Sequence, residues 1–566
     1  MAHSGRAPRH AGSAVEVIPT PSDRGERLDS WKQIAAYLSR GVRTVRRWER
    51  EEGLPVHRHQ HRALGSVYAF TVEIDTWREN NRRGASPRHE PRPQADTTLP
   101  ASLSIAVLPF ASLGAEPDNE YFADGLTEEI TTRLAKLASL HVTSRTSSAR
   151  LKGTDKDAAA IARELRVRYL LEGSVRRAGG RLRVAAQLIE ASIDAHRWSE
   201  TYDGTIEDIF AIQERIAREI VHSLSLRLTS EEDKRLSEGA IDDPRAYECY
   251  LRARHEGWRW RKESIDRAVQ LLSDGLTTIG GNSRLLAALG LAHLQYRDAG
   301  IDFSEGPLVA AEACARKIFE REGASSAGFQ LRGWISYSRA NIQDAVCDLR
   351  LALDLEPNNA DTLLLLSNCY LISGRVAAAR PLIERLVSID PLTPVTRCMP
   401  GWADLADGNL AAAIEPYNQM LRLDPASPMA RLFYVWVLLL NGRRDEVPSI
   451  VDGLTADAAL TVPGRIALFL NAALAAANGD TLPAIDVDIE IAARESDVFA
   501  RMLTDAYAIA GLSEPAIHWL GVAVDRGFIN YPFLAEVNPM LERLRGEEGF
   551  RRLMTQVHAR WERFEV

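Results

Sequence analysis

Hydrophobic positions follow three rhythms along the chain, each ended by a polar or Pro/Gly-rich break. The first begins at Ser30, where Ser30 and Gln33 stand three apart in a capping-box arrangement and Ile34, Ala35 and Leu38 give one apolar face. Gly41 allows a sharp turn, and Val42, Val45 and Trp48 recur at i, i+3 and i+6 through a second short helix expected to end near Glu52, before Gly53 and Pro55. The second rhythm starts with the apolar run Ser104–Phe110, expected as a strand covered on both faces. Helical spacing follows from Thr127 (Ile130, Leu134, Leu137), then a strand near Leu140–Thr143 and a helix over Asp157–Leu165. Tyr169–Val175, a turn at Ala178-Gly179-Gly180, and Leu182, Val184, Ala186 and Leu188 in strict alternation predict a hairpin. A strand over Ala195–Tyr202 and a helix with Ile209, Ile212, Ile216, Ile220 and Leu224 on one stripe complete the order β-α-β-α-β-β-β-α, an α/β domain with a mixed sheet. The third rhythm is helical and runs from Asp242 onward.

On the second short helix, Arg43, Arg46, Arg47 and Arg50 sit at i, i+3, i+4 and i+7, a single outward stripe without an acid in it. Guanidinium groups bind phosphate, or guanine O6 and N7 through paired donors, so this stripe on the second helix of a helix-turn-helix outline reads as a major-groove reader. Val56–Arg62 and Gly65–Phe70 then predict a β-wing, and Val72–Trp77 a third helix. His57, His59 and His61 alternate and would share one strand face, but no fourth zinc ligand lies nearby. Phosphate contact by a basic wing is the preferred reading, and no metal or cofactor is expected.

The segment DSWKQIAAYLSRGVRTVRRWEREEGLPVHRHQHRALGSVYAFTVEIDTW resembles the MerR/excisionase-like winged helix-turn-helix domains, most specifically in Trp31, Val45, Trp48, Glu49, Pro55 and the Val-Tyr-Ala-Phe strand. The resemblance implies double-stranded DNA binding by residues 28–80. Arg43, Thr44, Arg46, Arg47 and Arg50 would lie in the groove and Arg58 and Arg62 at the backbone; His57 and His59 are counted with them as phosphate contacts of the basic wing.

Residues 81–101 hold four prolines and no periodicity, the composition of a linker; residues 1–27 are expected as a disordered tail. The phrases SIAVLPFASLG, EYFADGLTEEITTRLAKL, ARELRVRYLLEGSVRRAGGRLRVAAQLIEA and HRWSETYDGTIEDIFAIQERIA resemble the TolB-N-terminal-like (FlgO-like) domain over 102–228, a domain without a known catalytic motif. Asp118, Glu120, Asp124, Glu128 and Glu129 are read as acids at a helix start, favoured by its dipole.

Beyond a second linker at 229–243, a 34-residue period appears in three residue classes at once. Pro357, Pro391 and Pro425 share it, as do Gly374, Gly408 and Gly442, and Ala345, Ala379 and Ala413. This resembles the tetratricopeptide repeat (TPR), implying helix pairs over 244–535 whose groove takes a protein partner or a second copy of the chain. The 43-residue step from Ala268 to Ala311 implies an insertion near Gly300–Glu305. Residues 536–566 are expected to cap the last helix pair.

Composition changes the picture in one respect. Residues 1–100 hold 17 Lys+Arg against 12 Asp+Glu, whereas the 566-residue chain has a net charge of −8. A basic head on an acidic body is the asymmetry of a chain that meets a polyanion at one end. No run approaches the roughly 18 apolar residues of a membrane helix, the first residues lack a signal-peptide core, and the five cysteines show no Cys-x-x-Cys spacing. A cytoplasmic location with reduced thiols is expected.

The fold class is therefore multidomain: a small winged helix-turn-helix, an α/β domain with a mixed sheet, then an all-α TPR solenoid. The function expected is a bacterial-type DNA-binding transcriptional regulator, possible as a homodimer. The alternative is a non-enzymatic TPR scaffold in signalling with the head as a docking module. Without a His-Glu-x-x-His, Gly-x-Ser-x-Gly, Walker or dinucleotide motif, catalysis is not expected.

Overall fold

In a computed structural model the described residues are 26–38, 45, 48–50, 53–58, 67–83, 103–113, 119–137, 139–178, 181–237, 241, 243–257, 261–459 and 461–566. They fall into two compact units, divided between Asp96 and Thr97.

In the first unit, β1 (Arg27–Leu28), β2 (His57–Arg58) and β3 (Val67–Phe70) form an antiparallel sheet in the order β1-β3-β2. Helix Trp31–Tyr37 starts as its sequence predicts: Ser30 Oγ accepts the Gln33 N–H at 3.2 Å, while Gln33 Oε1 accepts the Asp29 N–H at 2.6 Å. Val45 and Trp48–Arg50 are helical. Val45 is buried with Ile34, Leu38, Ala69 and Ile74 in one small core, edged by Trp31, Trp48 and Trp77. Strand β1 takes in one residue, Arg27, of the expected tail, because Arg27 and Leu28 pair with Phe70 and Ala69. Helix Thr71–Arg83 also runs past the expected Trp77, into residues read as linker.

The second unit begins with β4 (Ser104–Val107), β5 (Ala111–Ser112), β6 (His141–Val142), β7 (Tyr169–Ala178), β8 (Arg181–Glu190) and β9 (Ala195–Thr205). The sheet is mixed, as the pattern predicts: β4 pairs in parallel with β6 and β7, and β7, β8 and β9 run antiparallel. Its order is β6-β4-β7-β8-β9, with β5 on β7. Helix Ala158–Leu165 is capped by Asp157, whose carboxylate accepts the Ala160 N–H at 2.7 Å. Helix Ile209–Ser223 buries its isoleucine stripe on the sheet.

Two expectations fail here for physical reasons. The helix expected to open at Thr127 starts at Asn119 and runs to Ala135. Gly125, inside this helix, is a contact point: a Cβ there would lie 2.2 Å from Leu251 Cδ2 of helix Pro244–Gly257. The expected linker 229–243 contains helix Ser230–Ser237, and Leu236 and Ile241 are buried in the core shared by sheet and first repeats. Arg133 Nη1 donates to the Leu236 carbonyl at 2.6 Å.

From Pro244 onward the chain is a helical array. The 34-residue register has a direct meaning. Helices end at Ile372, Ala406 and Leu440, and Gly374, Gly408 and Gly442 follow with φ of +70°, +83° and +69°, a conformation open to glycine. Ala345, Ala379 and Ala413 are fully buried where helices cross. One repeat earlier the glycine place is taken by Ala340, held at φ +62°.

The C-terminal segment does more than cap the last helix pair. Arg526 Nη2 donates to the Ser338 carbonyl at 2.7 Å, the Ile529 N–H to Ile372 at 2.9 Å, and Asn530 Nδ2 to Leu371 at 2.9 Å. Residues 526–530 thus satisfy helix-end carbonyls one repeat apart. Phe528 and Phe533 pack against Trp402, with ring centroids 6.3 and 5.7 Å away. At the very end, Arg350 Nη1 donates to the Val566 carbonyl at 2.7 Å and Arg375 Nη2 to that of Phe564 at 2.8 Å. Part of the array's own edge is therefore occupied by its own chain. No helix among the described residues is long and apolar enough to cross a membrane.

Candidate nucleic-acid interface and inter-lobe cleft

Of the head residues expected at DNA, Arg43, Thr44, Arg46, Arg47, His59 and Arg62 lie outside the described residues, as does His61. Arg50 is exposed on its helical segment. Beneath it the hydrophobic side matches its pattern, with Val45 fully buried and Trp48 against Trp77 at 5.6 Å. His57 and Arg58 sit on β2, facing Tyr68 and Val67 of β3. His57 Nε2 pairs with Glu73 at 2.6 Å and its ring stacks on Tyr68 at 5.1 Å. Arg58 pairs with Glu49 at 2.7 Å, its side chain 63% exposed. Exposed pairs of this kind are worth about 0–1 kcal/mol, weak enough for a phosphate to displace them. On the neighbouring strand β1, Arg27 lies over the Tyr68 ring at 4.2 Å and pairs with Asp29 at 2.7 Å.

The second unit carries a cleft of about 250 Å³ between the α/β lobe and the repeats. Two junctions flank it. At the first, helices Asn119–Ala135 and Ile209–Ser223 share a core with helix Pro244–Gly257, and Gln213 Nε2 donates to the buried Tyr247 hydroxyl at 2.7 Å. Tyr247 and Tyr250 are thereby packing residues; Trp258 and Trp260 lie outside the described residues. At the second, the Ser144 N–H donates to Ile389 at 2.7 Å and Arg150 Nη1 to Leu423 at 2.9 Å. Ser147 Oγ donates to Asp390 at 2.6 Å and accepts the Leu392 N–H at 2.8 Å.

Glu128, Arg145 and Arg254 line the cleft, within a network of buried ion pairs. Glu128 meets Arg145 at 2.6 Å and Arg254 at 2.9 Å, while Glu129 meets Arg284 at 2.6 Å and Arg133 at 3.3 Å. These acids are well inside their helix, not at its start, so guanidinium groups hold them rather than a helix dipole. Burial alone would push the Glu128 carboxyl up, but Arg254, Arg145 and Arg284 outweigh it and hold it at about 2. Glu120 and Asp124, by contrast, pair near the surface with Lys152 at 2.8 and 2.9 Å. No cluster of three or more metal-ligating side chains occurs among the described residues.

Against known proteins, residues 101–219 match the family model of the HilA/YgeH-like transcriptional regulator, second domain, and residues 338–395 match the tetratricopeptide repeat. A Rhizobium meliloti (strain 1021) protein named "Putative adenylate cyclase 3" is 42% identical over 226 residues, covering 39% of this chain and 38% of that protein. The match thus spans well under half of that relative's length. Among solved structures, a thermophilic TPR protein of Thermus thermophilus is 18% identical, covering 33% of this chain and 97% of its own (TM-score 0.29). MamA is 22% identical over 30% of this chain and 94% of its own, with a TM-score of 0.23.

The regulator domain and the repeats make the chain similar to regulatory TPR proteins. The expectation of a chain outside catalysis is corrected by the Rhizobium meliloti relative, whose name is that of an enzyme.

Proposed function

We propose that this chain is a DNA-binding transcriptional regulator. Its head, residues 28–80, is a MerR/excisionase-like winged helix-turn-helix that binds double-stranded DNA. Arg43, Thr44, Arg46, Arg47 and Arg50 enter the groove, while His57, Arg58, His59 and Arg62 hold the backbone. The observation that carries the reading is order along the chain: a basic helix-turn-helix pattern is followed directly by a stretch matching the second domain of a transcriptional regulator. The α/β lobe, which also resembles the TolB-N-terminal-like domain, couples the head to the TPR array, and the array recruits a protein partner or a second copy. One short reading helix covers only a few base pairs, so specific binding calls for two heads.

Binding of the chain to its own upstream DNA, measured across a range of salt concentrations, tests this. The double variant Arg46→Ala, Arg47→Ala is expected to lose retention and flatten the salt dependence. Wild-type protein without salt-sensitive affinity for that DNA overturns the reading.

The Rhizobium meliloti relative supports a second reading, in which the chain takes part in cyclic-nucleotide formation. Incubating the purified chain with ATP and Mg²⁺ tests it. Cyclic AMP and pyrophosphate appearing in equal amounts would establish it, and their absence would leave the regulator reading alone.

A further inference from the structure

We propose that a pocket near the C-terminal end of the second unit binds a small organic anion, a carboxylate carried on an aromatic or apolar body. The pocket, of about 500 Å³, lies between helix Glu548–Arg563 and the segment that runs from Tyr531 to Arg545. Its volume falls within the roughly 300–1,000 Å³ of small-ligand sites. Helical spacing builds one wall, where Phe550, Met554 and His558 follow at i, i+4 and i+8 with Arg551 beside them. Phe550 and Met554 are buried and, with Ala535, give the pocket an apolar floor. The His558 ring meets Tyr531 edge-on at 4.5 Å, which adds an aromatic pair to the lining.

The fixed charge on the lining has one sign. Arg545 and Arg551 both line the pocket, and no acid does. Glu562, which meets His558 Nδ1 at 3.6 Å, lies outside the lining. The Arg551 guanidinium makes no ion pair among the described residues, since Glu548 on the same turn goes to Arg552 instead, at 3.8 Å. Arg545 Nη2 donates to the Glu536 carbonyl at 2.9 Å and to that of Asn538 at 3.4 Å, which fixes its guanidinium in place. Its buried Nε has no acceptor in the protein. Neither guanidinium is therefore neutralised by a carboxylate of its own chain. A carboxylate offers two oxygens to the donor fork of an arginine, and an aromatic or apolar body covers Phe550 and Met554. Inorganic phosphate leaves the floor wet, a neutral aromatic leaves the guanidiniums unmatched, and a cation is repelled. The site rests on neither functional reading above.

Calorimetric titration of the full chain with phenylacetate and 2-naphthoate, against benzyl alcohol, phenethylamine and inorganic phosphate, tests the proposal. Saturable binding of at least one of the two acids, with no control binding comparably, is the expected result. Arg551→Gln is expected to weaken it roughly tenfold or more, the loss that follows from one charged hydrogen bond. Thr555→Glu, one helical turn further on the same wall, sets a carboxylate beside Arg551 and is expected to weaken binding at least as much. Both residues are exposed, so the variants keep the fold. Absence of binding of either acid at millimolar concentration overturns the proposal, as does a control that binds as tightly. Binding that either variant leaves unchanged overturns it too.

Discussion

Ser147 Oγ donates a 2.6 Å hydrogen bond to the carboxylate of Asp390, joining the α/β lobe to a repeat turn 243 residues further along the chain. Asp390 also accepts from Ser144, from Thr393 Oγ1 at 2.8 Å and from Thr396 Oγ1 at 2.9 Å. One buried carboxylate therefore organises hydroxyls from both lobes, at the far side of the cleft from the apolar junction.

Removing that carboxylate leaves several hydroxyls without an acceptor in a site only 5% exposed. Asp390→Ala is expected to destabilise the second unit by about 2–4 kcal/mol, whereas Ser147→Ala costs about 1 kcal/mol. Urea unfolding of both variants checks the ranking. A variant of Asp390 as stable as wild type would show that the junction contributes nothing.

On the proposed DNA reading, Glu49 is the group a phosphate would have to displace from Arg58. Glu49→Gln removes the acid from the 2.7 Å pair and leaves Arg58 open to a phosphate. If the wing meets the duplex, affinity for DNA is expected to rise a few-fold and the salt dependence to steepen by about one ion, while Arg58→Ala lowers both. Equal salt slopes for wild type and both variants would remove Arg58 from the interface.

Legibility in the sequence followed the range of the interaction. The 34-residue register was readable because the same backbone demand, a left-handed turn after each first helix, recurs at Gly374, Gly408 and Gly442. The β7–β8 hairpin was readable from strict alternation. The cluster around Glu128 was not, since Arg145, Arg254 and Arg284 come from three separate elements and only folding brings them together. Gly125 is a related case: the approach of Leu251, far along the chain, is what makes a residue without a side chain necessary there. The run 229–243 reads as polar linker because Leu236 and Ile241 are too sparse to form a stripe, yet each is buried. For the head, the burial of Val45 agrees with its pattern, while most of the arginine stripe lies outside the described residues.

Ala340 marks a place where the repeat tolerates strain. It holds φ +62° where the next three repeats carry glycine, and a Cβ in that conformation costs about 1–2 kcal/mol. Part of the gain from Ala340→Gly is offset by the greater freedom of glycine in the unfolded chain. A net stabilisation of about 0.5–1 kcal/mol is expected, read as a higher midpoint in thermal or urea unfolding. A lower midpoint would mean that the alanine methyl makes a packing contribution exceeding the strain.

Glu128 gives the second unit a defined response to acid. Its carboxyl is held at about 2, below the ordinary 4.5, because three guanidiniums outweigh the cost of burial. A carboxyl with a depressed folded value contributes stability that is present above the unfolded value and is lost as pH falls toward the folded one. The contribution is on the order of 3 kcal/mol at neutral pH, from about 1.4 kcal/mol per unit, and it should decline between about pH 4.5 and pH 2. Glu128→Gln removes the titrating group and leaves Arg145 and Arg254 without their shared partner. The gap in unfolding free energy between wild type and this variant is therefore expected to be widest above about pH 5 and to narrow steadily below about pH 4.5. Urea unfolding of both proteins at several values from about pH 7 to about pH 3 measures it. A gap that stays constant over that span would mean that Glu128 is not held by charge.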